Sequence, residues 1–278
     1  MSTLSGLISA GGGSTSFPVI FLSKSQTWVP PQDGNVCIHV IGAGGSGSGS
    51  TSNSNSSTAA GGGGAGGYCR KNSLAVTTSG SYTVVIGAGH VPTTANAAGG
   101  NGGNTTFAGT GLGSTLTANG GTGHPKGDTA NSGTGGSASG GDVNNTGGAG
   151  SFKKGGGAVG ITGTGNQGFD ATSSSSGVYM GGACDVIGDL WSSSLGQIAG
   201  SIGGKGLYEN DQALDSSGAD AGPLAGGGGV YIGGGYCYPT GGAATIGGGG
   251  GPAIYGTGNW GATGGRGGEG LVVIQYIP

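Results

Sequence analysis

The chain has 278 residues, of which 78 are glycine, with 7% charged residues, a net charge of −3 and a mean hydropathy of −0.02. So few cations cannot form a basic stripe along a phosphate backbone, which argues against nucleic-acid binding. No apolar run approaches the roughly eighteen residues of a membrane span, and the start, MSTLSGLISAGGGS, lacks the basic n-region of a secretory signal.

Residues 1–24 hold two apolar clusters, Leu4–Ile8 and Phe17–Leu22, separated by Gly and Ser, and read as an attachment segment or a first edge strand. After Gln26-Thr27-Trp28-Val29-Pro30-Pro31, the β-branched run Asn35–Ile41 predicts a strand. A Ser/Gly/Asn tract then extends to about Gly67. Tyr68–Thr78 and Ser81–Ile86 predict two further strands, with Ser79-Gly80 between them as a hairpin turn. Gly99-Gly100-Asn101-Gly102-Gly103-Asn104 repeats in threes before Thr105-Thr106-Phe107, and Ser114–Ala118 predicts another strand.

From Gly120 to Gly270 strand signals thin out and glycine triplets recur, most strictly at Gly258, Gly261, Gly264, Gly267 and Gly270. That period leads into Leu271–Ile277, a strand expected to close a sheet with the N-terminal strands. Asp185–Ile198 has near-helical apolar spacing, weakened by two glycines and three consecutive serines. Glycine costs about 0.5–1 kcal/mol against alanine in a regular element, so such tracts need a dense backbone hydrogen-bond network to be ordered. Collagen would require glycine at every third position throughout and abundant proline, whereas the phase slips here and there are 9 prolines. A turn-rich sandwich would not need runs such as Gly61–Gly64 or Gly247–Gly251. Polyglycine II helices, left-handed with three residues per turn and no internal hydrogen bonds, turn their N–H and C=O groups toward neighbouring helices. That option fits best.

The expected fold is therefore all-β and non-regular. A small antiparallel base formed by the two ends (25–118 and 258–278) would carry polyglycine II tracts and long loops over 119–257, with 1–24 as the attachment segment.

Most chemical motifs fail on their context. Gly42-Ala43-Gly44-Gly45-Ser46-Gly47 matches GxGxxG, but a dinucleotide site needs a helix next and a Ser/Asn/Gly tract follows. Lys205 in GGKG is followed by Gly206 rather than Ser or Thr. His39, His90 and His124 are isolated, no GxSxG elbow is present, and nothing singles out a carboxylate pair for glycoside hydrolysis. No enzyme activity or cofactor is expected. Glu209, Asp211 and Asp215 form the one acidic cluster, a weak calcium candidate against the plainer reading of a solvated loop. Cys37, Cys69, Cys184 and Cys237 lack CxxC or Cys/His metal spacing. They read as buried free thiols or as disulfides of undetermined pairing. Aromatics gather where the triplets break. Trp191, Tyr208, Tyr231, Tyr236 and Tyr238 are candidates for recognition, since Tyr and Trp give large contact area with a polar handle; the competing reading is that they fill a small core.

Four blocks carry a family pattern: Ser25–Pro31 leading to Val36–Ile41 and Gly42-Ala43-Gly44-Gly45; Tyr82–Ile86 with Gly87-Ala88-Gly89; Gly99–Phe107; and Gly267-Gly268-Glu269-Gly270 before Leu271–Ile274. Together they resemble the glycine-rich domains of bacteriophage tail proteins, over residues 25–118 and 258–277. The resemblance implies a virion protein at or near a tail-fibre tip, in some relatives an adhesin whose polyglycine II bundle presents loops to host receptors. The expectation is a non-enzymatic tail-fibre or virion-surface adhesin that binds a host surface glycan or outer-membrane protein. Other virion proteins would be contacted through residues 1–24 in a homo-oligomeric assembly, without membrane insertion. A purely structural collar, decoration or fibre-connecting protein is the alternative, and an ice-binding protein the third.

Overall fold

The computed structural model describes residues 17–51, 60–92, 95–125, 132–150, 156–166, 169–170, 179–180, 207–209, 226–227, 230–232, 241–244, 246–251, 253–255 and 262–278. These residues form strands and extended segments and no helix. The N-terminal half supplies β1 (Val19–Leu22), β2 (Gln26–Trp28), β3 (Gly34–Ile41), β4 (Gly49–Thr51), β5 (Tyr68–Val76), β6 (Tyr82–Val85), β7 (Thr105–Gly109) and β8 (Leu116–Ala118). There follow β9 (Ala138–Ser139), β10 (Val143–Asn145), β11 (Phe169–Asp170), β12 (Tyr179–Met180), β13 (Leu207–Glu209), β14 (Val230–Ile232), β15 (Ala253–Tyr255) and β16 (Leu271–Ile277).

Two five-stranded antiparallel sheets form the base, ordered β1-β16-β3-β5-β10 and β2-β6-β7-β8-β9. The expected closure by the C-terminal run holds, because β16 lies between β1 and β3. The base is nevertheless a sandwich rather than one small sheet. Alternation explains the layering: Val36, Ile38, Val40, Val272, Ile274 and Tyr276 face Trp28, Tyr82, Val84, Phe107 and Leu116 in one core. Tyr82 stacks on Phe107 there and Trp28 packs tilted against both, with ring centroids 5.2–6.1 Å apart. The Thr77–Gly80 turn, closed by the Gly80 N–H on the Thr77 carbonyl (2.8 Å), is not the expected hairpin. It carries the chain from β5 in the first sheet to β6 in the second. Burial decides this: Tyr82 and Val84 must face the core from the opposite layer.

Beyond β3 the chain leaves the sandwich and enters a lattice. The N–H groups of Gly42, Gly45 and Ser48 donate to the carbonyls of Gly67, Gly64 and Gly61. Those of Ala43, Ser46 and Gly49 donate to Gly103, Gly100 and Ala97, and those of Gly44 and Gly47 to Gly268 and Gly265. All eight bonds are 2.8–3.2 Å long. Every third residue thus addresses the same neighbour, and three neighbours share the donors. The carbonyls of Ala43 and Ser46 accept from Gly121 and His124, and those of Gly45 and Ser48 from Gly250 and Ala253. Among the described residues, five segments therefore hydrogen-bond to residues 42–49. This contact requires glycine where two backbones touch: a Cβ on Gly44 would overlap the Gly248 carbonyl oxygen. Lattice segments come from 42–49, 60–67 and 97–103 as well as from later tracts.

Candidate functional site

At the far end of the lattice, β13, β14, β15 and β4 form a four-stranded parallel sheet. Its register aligns Tyr208 with Tyr231, Ile254 and Ser50, and Glu209 with Ile232, Tyr255 and Thr51. Because residues 42–51 run outward from β3, all four strands point away from the sandwich. The chain therefore leaves Thr51, Glu209, Ile232 and Tyr255 on the side away from the base. At the base, by contrast, lattice segments run directly into β5, β7, β9 and β16.

Two recognition candidates from the sequence, Tyr208 and Tyr231, are thereby brought into register on adjacent parallel strands. Trp191, Tyr236 and Tyr238 lie outside the described residues, as do Asp211, Asp215, Cys184, Cys237 and the Asp185–Ile198 stretch. Glu209 ends β13. Among the described residues no group of three His, Cys, Asp or Glu is arranged to hold a metal ion. In the same set, no helix is long and apolar enough to cross a membrane.

Cys37 and Cys69 are free thiols. Cys69 pairs in register with Val40 and faces the sandwich core, whereas Cys37 sits at the register shift between Val36 and Ile38, on the other face of the sheet. Their opposite facing keeps them apart. Cys69 Sγ donates to the Ser139 carbonyl (3.2 Å) and Asn144 Oδ1 (3.3 Å), and burial pushes the thiol up to about 11.

Alternation along β3 places Cys37 and His39 on one face, a pairing that the isolated histidine did not announce in the sequence. Cys37 Sγ lies 3.4 Å from His39 Nε2, and His39 Nδ1 lies 2.7 Å from Tyr68 Oη. Arg70 stands opposite His39 in register, and its charge acts on both His39 and Tyr68. In the neutral imidazole one ring nitrogen donates and the other accepts, so His39 joins the thiol and the phenol in one row. Burial, reinforced by the Arg70 charge, depresses His39 to about 4. Burial also raises Cys37, outweighing Arg70. A neutral imidazole beside a raised thiol lacks the thiolate that nucleophilic chemistry needs. The row is a buried polar pin across two strands.

Two Ser/His pairs within the lattice were also invisible to motif reading. Ser46 Oγ accepts the Gly100 N–H (3.0 Å) and meets His90 Nδ1 at 2.9 Å. Ser48 Oγ accepts the Gly61 N–H (3.1 Å) and meets His124 Nδ1 at 3.0 Å. Each serine hydroxyl thus substitutes for a lattice carbonyl. Ser46, Ser48 and His124 are fully buried, which closes these pairs to substrate. The GxGxxG stretch is lattice segment 42–47 and precedes a strand, not a helix.

A family model described as a glycine-rich domain matches residues 21–277. No curated protein matches the chain.

Proposed function

The chain belongs to the glycine-rich domain family, and from that premise we propose that it is a bacteriophage virion protein, a tail-fibre or tail-tip adhesin binding the host cell surface. The lattice would be a polyglycine II bundle: three-residue periodicity of donors toward three neighbours is what helices without internal hydrogen bonds require. Such a bundle is a stiff spacer, advancing about 25 Å over the eight residues 42–49 at about 3.1 Å each.

The observation that carries the adhesin reading is the outward direction of β4, β13, β14 and β15. The sequence stretches that follow Glu209 and Ile232 contain Asp211, Asp215, Tyr236 and Tyr238, and the chain departs into both from the end opposite the base. A rigid frame whose parallel strands end on the side away from the base suits a receptor-binding role. At the base, Phe17 and Phe21 remain 41% and 42% exposed, within the 1–24 segment proposed to contact other virion proteins.

The test is adsorption: purified protein should bind host bacteria and block phage attachment, and Tyr231→Ala or Tyr236→Ala should weaken both. Absence of binding across a panel of phage-sensitive bacteria, with the chain located inside a collar or fibre joint of the particle, would establish the structural alternative instead.

A further inference from the structure

One side of the molecule is a flat grid of uncharged hydrogen-bonding side chains. It begins on the lattice, where three adjacent segments each carry a polar residue every third position with glycine between. Asn101 and Asn104 accept the N–H groups of Gly123 and Gly120 through Oδ1, at 3.0 and 2.9 Å. On the next segment Thr122 Oγ1 meets Thr134 Oγ1 at 3.0 Å, and Asn119 Nδ2 donates to Ser137 Oγ at 2.8 Å. The rows continue onto the second sheet: Asn104, Asn119 and Ser137 are each two residues from Thr106, Thr117 and Ser139, which are register partners on β7, β8 and β9. Between them Thr105 and Ala118 are buried and Ala138 packs on the core, so the grid residues face solvent.

Capping explains the lattice part, because those side chains satisfy N–H groups at the last row of segments. It does not explain the hydroxyls of Thr106, Thr117 and Ser139, whose strands are already laddered. We propose that this face binds neutral polysaccharide, as a lateral contact of the adhesin proposed above, on which reading it rests. The described residues of the grid carry no charge, which fits an uncharged partner and makes their desolvation inexpensive. With Oδ1 held by the lattice, the Asn101 and Asn104 amide groups turn their NH2 donors outward, beside hydroxyls that both donate and accept as sugar hydroxyls do. The internal bonds fix these rotamers, so little side-chain entropy remains to be lost on binding. The grid measures about 16 Å along the segments and about 10 Å across them, a strip for a few consecutive sugar residues.

The experiment uses an array of neutral hexose and N-acetylhexosamine oligosaccharides, with heparin and polysialic acid as charged counterparts. Wild type should bind neutral members and not the charged ones. Asn101→Asp/Asn104→Asp keeps an oxygen acceptor for Gly123 and Gly120, so the lattice stays capped while the face becomes charged; neutral binding should fall at least tenfold. Thr106→Lys/Thr117→Lys, away from the capped edge, should do the same. No neutral binding, or binding unchanged in both variants, overturns the proposal. If wild type and both variants block phage adsorption equally, the lateral site fails while the adhesin reading stands. Glycan binding without any adsorption block leaves the site and removes the adhesin.

Discussion

His39 shows how one buried side chain ties stability to pH. Its folded value of about 4 lies below the ordinary 6.5, so between those values the unfolded chain holds the extra proton. Stability should be full above pH 6.5 and fall by about 3 kcal/mol on going to pH 4. Urea unfolding across that range checks the slope, and His39→Gln, which retains an acceptor for Tyr68, should flatten it. Glycines separate just as sharply. Gly44→Ala drives a methyl into the Gly248 carbonyl and should cost about 3 kcal/mol or more. Gly113, where an added methyl would meet nothing within 4 Å, should accept alanine within about 1 kcal/mol of wild type. Thermal denaturation of the two variants side by side is the measurement. Composition alone could not tell these glycines apart, since the distinction depends on which backbone lies opposite, a property of segments some 200 residues distant in the chain.

Single elements carry the same logic. The GGNGGN repeat was legible as a period of three, but its purpose appears only beside residues 119–124, where Asn101 and Asn104 stand in for missing carbonyls. Asn104→Ala should cost about 1–2 kcal/mol by leaving the Gly120 N–H unpaired, whereas Asn104→Asp should cost less. Amide exchange at Gly120 should accelerate in the first variant and not in the second. The strands β3, β5, β6, β8 and β16 could be read from their apolar residues, because each buries at least one face in the base. β9 and β10 could not, being two and three residues long and composed of Ala, Ser, Val and Asn. The Ser79-Gly80 turn is a turn but not a hairpin: local turn chemistry does not reveal which sheet the following strand joins.

At the scale of the whole molecule, the two ends were recognisable as a paired base because β16 is strongly apolar, and an apolar run buried on both faces belongs in a sheet interior. The register of the parallel outer sheet was not legible, since three-residue strands carry too little pattern to specify partners. Nor was the Cys37–His39–Tyr68 row, which needs residues 29 positions apart to meet across a ladder. Removing residues 271–278 should abolish folding rather than trim it, as loss of the β16 signals in circular dichroism together with protease sensitivity of the 42–49 segment would show.

That central placement has a consequence for synthesis. The segment 42–49 donates to Gly265 and Gly268, far along the chain, and the neighbouring strand β3 awaits β16. Neither can be completed until residues 265–277 have been made, so the earlier residues wait with unpaired amides and an unfilled sheet. Closing such long loops is slow, and the window invites association with other nascent chains. A glycine tract sealed by residues so distant along the chain closes only when both are present.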